Sequence, residues 1–310
     1  MMNRSGLSHN EYWGKRMEDI LRYVDRTDVD MFGELSDIYN RNAQELQKDI
    51  FDFYNRFAED EEISLPEAKR RLRGRDLSDY RANARRYFED AGGNDELLQR
   101  LNEQYESAQV TRLEALHLDL EYQVGMMNGT LQGTFYEHLM STASYAYRKI
   151  AGGRSASTLN RPALEEIVNR PWNSYNYSED LWANTDKLVK DLKEVFEQGF
   201  IRGDSPYQIA NEIRGRHEVA QHRAETLVRT DGSNIVTNAT AKRYQDAGLK
   251  YYRDYVKMDS RTTDICKEVH RKNERKPLSE MEPGVNAAPY HFNCRTGILP
   301  DEEELMEVDM

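Results

Sequence analysis

The sequence predicts a mainly α-helical protein, with a long-helix N-terminal region followed by a smaller α+β C-terminal domain. Three observations predict it. Of eight prolines, only Pro66 falls in the first 160 residues, whereas Pro206, Pro277, Pro283, Pro289 and Pro300 crowd the last third. Proline costs a helix interior about 3 kcal/mol, so the front can carry long helices and the end cannot. Apolar residues recur at helical spacing through the front. The third observation is a stretch at 250–258, KYYRDYVKM, that alternates with aromatic and β-branched enrichment, as a strand does.

Composition sets the bounds. The 310 residues include 43 Lys+Arg and 55 Asp+Glu, a net charge of −12. A chain of this length buries a core and is expected to hold two domains. Its mean hydropathy of −0.89 is low for a globule and points to elongated helices or to surfaces that await partners. Two cysteines exclude a disulfide-stapled scaffold. The opening stretch has no apolar core of a secretory signal, and no run approaches the ~18 apolar residues of a bilayer span. The expected setting is therefore a reducing cytoplasm, with no membrane partner. The acidity argues against a protein that coats nucleic acid with its whole surface, but leaves room for a local basic patch.

Taken in order, Leu35, Ile38, Tyr39, Ala43, Leu46, Ile50, Phe53, Tyr54 and Phe57 form the apolar stripe of one amphipathic helix. Ser64 and Glu67 make a capping box, with Pro66 in the first turn of a second helix. Gly92-Gly93-Asn94 breaks the chain. A long helix is expected from about Asp95 towards Met127, and another over Leu131 to Ile150. Residues 151–184 read as a connector with a short helix near Pro162 to Asn169. Helical pattern resumes at Leu188, Val189, Leu192, Val195, Phe196 and Phe200, and Gly203 stops it. Ser205, Pro206 and Gln208 cap the next helix, and a further one is expected from about Glu218 to Ala247, ended by Gly248. The expected organisation is a helical region at 1–150, a connector at 151–184, a domain at 185–300 and an acidic tail at 301–310. That tail, DEEELMEVDM, carries six carboxylates in ten residues and is expected to be a disordered, solubilising terminus.

Two constellations can carry chemistry. Cys266-x3-His270 and His291-x2-Cys294 place both cysteines and two of seven histidines within 29 residues. Thiolate and imidazole suit tetrahedral zinc, an x3 spacing puts two ligands one helical turn apart, and x2 suits a knuckle turn. The spacing matches no standard finger, and two other readings stay open: ordinary packing of buried Cys and His, or a Cys266–Cys294 disulfide. The second constellation is basic. Lys69, Arg70, Arg71, Arg73, Arg75, Arg81, Arg85 and Arg86 face only Asp76 and Asp79, a local charge of +6 in an acidic protein. Guanidinium groups suit phosphate contacts, and Tyr80 and Tyr87 are at hand for stacking on DNA. A solvated helix face is the plainer reading of the same run. No phosphate-binding Gly loop, HExxH or GxSxG motif is present, and nothing orients a Cys–His pair for nucleophilic catalysis.

The back third resembles the phage Mu F-like, or phage head morphogenesis, minor capsid family. The resemblance rests on an ordered set: Gly203-Asp204-Ser205 with Ile209-Ala210, and Leu227-Val228-Arg229-Thr230-Asp231. Asn238 follows with Ala241, Tyr244 and Gly248. Asp259-x-Arg261-Thr262 and Cys266-x3-His270 come next, and Pro289-x-His291-x2-Cys294-Arg295 closes the set. It spans about 185–300. Asp231 stands where the family often has Glu, Ala288 where it often has Pro, and Thr296 where it often has a last cysteine. The resemblance implies a minor head protein of a tailed double-stranded DNA phage, associated with the portal inside the head. It implies a role in head assembly or DNA delivery without enzymatic turnover, with scaffold and coat proteins as further partners. Competing classes are a DNA-binding protein that protects or guides phage DNA, and a zinc-dependent or toxin-like enzyme.

Overall fold

In a computed structural model, residues 8–58, 78–107, 112–151 and 161–308 are described. The helices are α1 (His9–Ala58), α2 (Ser78–Asp90), α3 (Asp95–Ser107), α4 (Arg112–Ile150), α5 (Arg161–Val168), α6 (Tyr177–Arg202) and α7 (Pro206–Asp246). Then follow β1 (Tyr251–Val256), α8 (Asp264–Lys272), β2 (Lys276–Pro277), a 3-10 turn, β3 (Thr296–Pro300) and α9 (Glu302–Val308). Long helices precede a region of short helices and a three-stranded sheet, the α+β arrangement expected. No described helix is long and apolar enough to cross a membrane.

The helix ends follow from local chemistry. Ser8 and Glu11 form a reciprocal capping box at the start of α1, with Ser8 N–H donating to Glu11 Oε2 at 2.9 Å. Gly93, at φ 95°, separates α2 from α3, and Asn94 Oδ1 accepts from Leu97 N–H. Gly203, at φ 77°, ends α6. Ser205 and Gln208 then cap α7, with Pro206 in its first turn. Gly248, at φ 81°, ends α7, and Leu249 N–H reaches back to Tyr244 O in a Schellman closure. The capping box at Ser64 and Glu67 lies outside the described residues.

Two corrections concern helix length. α4 runs through Met127–Leu131 without interruption, so the helix expected over 131–150 is the second half of a longer one. α7 likewise continues from Pro206 past Glu218 as a single 41-residue helix. Glycine costs a helix only about 1 kcal/mol, and packing overrides it. At Gly125 the missing Cβ leaves room for the Leu97 side chain of α3, which any larger residue would have to displace.

The chain divides into two compact units. One comprises Met1–Gly33, Thr134–Asp180 and Glu225–Met310; the other comprises Glu34–Gly133 and Leu181–Ala224. In the second unit the α1 stripe is buried at Leu35, Tyr39, Ala43, Leu46 and Ile50. The side chains of Phe53, Tyr54 and Phe57 lie outside the described set. A cluster of Ala84, Tyr87, Leu97, Leu101, Leu118 and Trp182 packs α2, α3, α4 and α6 together.

In the first unit, Met17, Ile20, Leu21 and Val24 of α1 are buried, as are Phe135, Leu139, Ala143 and Ala146 of α4. From α7 the same unit buries Val228, Ile235, Val236, Ala239 and Tyr244. Its sheet has the order β2-β1-β3 and is antiparallel throughout, with Tyr252 opposite Lys276 on one side and Pro300 on the other. β1 buries Tyr252 and Val256, one side of the predicted alternation. β3 is buried along its whole length, and a Cβ at Gly297 would overlap Met17. Tyr244 of α7 donates to Ile298 O at 3.1 Å, which fixes β3 to the helix.

A third correction concerns the tail. It is helical to Val308 and docked to the sheet. Asp301 is fully buried and pairs with Arg253 at 2.8 Å and Arg275 at 3.1 Å. Glu304 accepts from the backbone N–H groups of Lys250 and Tyr251. Its carboxylates are partners for Arg253 of β1 and for Arg275 just before β2, which a count of like charges does not reveal.

Candidate metal centre

The site forms where β1, α8 and the loop before β3 converge. After β1 the chain turns through Asp259–Thr262. Asp259 Oδ1 accepts from Arg261 N–H and Thr262 Oγ1 from Asp259 N–H, each at 2.8 Å, so the Asp-x-Arg-Thr signature is a self-bonded turn. Thr263 then caps α8, its hydroxyl accepting from Cys266 N–H at 3.4 Å. That places Cys266 in the first turn, 3% exposed, on the buried side of the helix.

The opposite wall is the loop of residues 288–295. Thr230 of α7, itself fully buried, accepts from Asn293 N–H at 3.0 Å, and Asn293 adopts φ 59°. Cys294 N–H donates to His291 O at 3.2 Å, so the x2 spacing does form a tight turn. Arg295 pins the far end. It donates to Asp259 Oδ2 at 2.5 Å and lies 3.7 Å from Asp25 of α1, which also binds Lys257 at 2.7 Å. The hydrogen bond from Arg295 holds the Asp259 carboxyl below the usual carboxylate range. Val256, Cys266, Ala288 and Cys294 form one buried cluster, with Val269 and Tyr290 against it.

Within this frame the ligand atoms of Cys266, His291 and Cys294 lie within 4.8 Å of one another. Cys266 Sγ is 3.1 Å from His291 Nε2 and 3.8 Å from Cys294 Sγ, and both cysteines are free thiols. Two sulfurs bound at about 2.3 Å to a tetrahedral zinc stand about 3.8 Å apart, so the sulfur pair has the required separation. A sulfur and an imidazole nitrogen on the same ion stand about 3.6 Å apart, so the ring would retreat by about 0.5 Å. His291 Nδ1 lies 2.7 Å from Phe292 O, which makes Nδ1 the N–H donor in the neutral ring and leaves the Nε2 lone pair facing the sulfurs. This is how a backbone carbonyl orients a metal-binding histidine. The Cys294 thiol is lowered to about 5, chiefly because the Cys266 thiol donates to it, and Cys266 is correspondingly raised. Cys266, His291 and Cys294 can coordinate a metal ion such as zinc.

The structure brings together three of the four residues that the spacing proposed. His270 lies one helical turn beyond Cys266 on α8, but it is exposed and outside the group. Thr230, Thr263, Asp259 and Arg295 were not singled out as site residues. Thr263 was findable as a Thr preceding an acidic first turn, a cap signature. The basic run is placed only in part. Lys69, Arg70, Arg71, Arg73 and Arg75 lie outside the described residues, and so does the Arg81 side chain. Arg85 and Arg86 are exposed on α2, with the Arg86 guanidinium 5.0 Å from the Tyr87 ring centroid.

Fold and site together define a helical protein whose C-terminal α+β module is organised around a Cys/His cluster. Residues 190–299 match the family described as Phage Mu protein F like protein, and this head morphogenesis domain therefore covers about a third of the chain. It contains all the Cys and His residues of the candidate centre. The family is a structural phage morphogenesis family and not a known enzyme family. No curated protein and no solved structure matches the chain.

Proposed function

We propose that the protein is a minor head protein of a tailed double-stranded DNA phage, built into the head interior near the portal and acting in head assembly and DNA delivery. The observation that carries this reading is the Mu F-like domain at 190–299. The Cys/His cluster lies within that domain. The ligands come from the first turn of α8 and the loop before β3, so a bound ion would add a further link between these two segments. The net charge of −12 keeps the chain soluble before assembly. Portal, scaffold and coat proteins are the proposed partners, and the basic run at 69–86 is the proposed contact with double-stranded DNA.

Deletion of the gene tests the reading. Shells should still assemble, and the particles should have reduced infectivity. Unchanged infectivity, or failure to make any shell, contradicts the proposed role.

A further inference from the structure

The candidate centre supplies three ligands, whereas zinc is ordinarily four-coordinate. The other side chains that hydrogen-bond this group are the hydroxyls of Thr296 and Thr263. Thr296 Oγ1 lies 3.4 Å from Cys266 Sγ. Thr263 Oγ1 lies 2.8 Å from His291 Nε2. Neutral aliphatic hydroxyls are not among the thiolate, imidazole and carboxylate donors that hold zinc. Among the described residues, no other Cys, His, Asp or Glu belongs to the group. The cluster is not sealed. His291 is only half-buried, and Thr263, Ile265 and Phe292 beside it are exposed.

We propose that the centre is a three-ligand site whose fourth position is filled from outside the chain by a small exchangeable Lewis base, such as water or an anion of the azide class, and is not closed by His270. This rests on the metal reading of Cys266, His291 and Cys294, and it goes beyond a role in head assembly. Thr296 is 1% exposed, and its hydroxyl lies 3.4 Å from Cys266 Sγ, so it marks the corner where an internal donor would close the site.

Cobalt(II) bound to the full-length protein tests this, because its visible absorption reports donor set and coordination number. The native chain should bind about one cobalt, give the spectrum of a tetrahedral two-thiolate site and show a saturable change with azide. His270→Ala should give the same spectrum and the same azide response. Thr296→Cys should add thiolate charge-transfer intensity and lose the response. Cobalt-loaded native protein that ignores azide overturns the proposal, as does a His270→Ala spectrum that differs from the native one, or a metal-loaded Thr296→Cys that still responds. If Thr296→Cys does not fold, the native and His270→Ala measurements decide the matter. Failure of the native chain to take up cobalt or zinc overturns the metal reading itself, a result distinct from a loaded but unresponsive site.

Discussion

Asp231 is 4% exposed on α7, and its Oδ2 has no hydrogen-bond partner. Burial first, and then the charge of Asp180, push its carboxyl up to about 8. The folded chain therefore keeps a proton that the unfolded chain loses near pH 3.9. The stability tied to this proton is fully present below pH 3.9 and is lost as pH rises to about 8, beyond which the curve is flat in this respect. Each pH unit in that window is worth about 1.4 kcal/mol, which bounds the loss at pH 7 at about 4 kcal/mol. Relaxation and water entry around the carboxylate reduce it to about 2 kcal/mol. Asp231→Asn presents an amide N–H in place of the acid O–H and cannot ionise. Urea unfolding of the two proteins from pH 4 to pH 9 should show near-equal stability at the acid end. The gap in favour of the variant should widen to about 2 kcal/mol by pH 7 and to somewhat more by pH 9. Parallel pH profiles for native and variant chains, or a variant less stable at pH 9, would mean that Asp231 does not hold its proton in the folded chain.

Asp301→Ala leaves Arg253 and Arg275 without their buried partner and should cost about 3 kcal/mol in thermal or urea unfolding, whereas a disordered tail predicts no change. Thr230→Val removes the acceptor for Asn293 N–H beside Cys294 and should cost about 1–3 kcal/mol, with faster loss of bound zinc to a chelator. Replacing Arg70, Arg71, Arg73 and Arg75 with Glu should abolish low-salt binding to double-stranded DNA in a mobility-shift assay. The native chain should lose that binding steeply with added salt.

The parts of the fold that were legible in the sequence are those set by local chemistry. Tyr252 and Val256 alternate with half-buried neighbours, so β1 could be read directly. Gly203, Gly248 and the Ser205–Gln208 capping box act within a few residues and end or start helices where expected. The continuity of α4 and α7 was not legible, because it depends on partners distant in sequence, such as Leu97 against Gly125. β2 is only two residues long, and β3 is buried on both faces, so neither shows an alternation. The site followed the same division. Cys266, His291 and Cys294 were visible as ligand types at workable spacings. His270 satisfies the same spacing rule, but the buried side of α8 takes in Cys266 alone. Thr230 and Asp25 act on the centre from helices 36 or more residues away in sequence, beyond the reach of any spacing argument.

Quantitative mass spectrometry of purified phage particles decides whether the chain is a head protein. The chain should be present in every preparation, in substoichiometric amount relative to the coat protein. Detection in infected-cell cytosol but never in particles would contradict this.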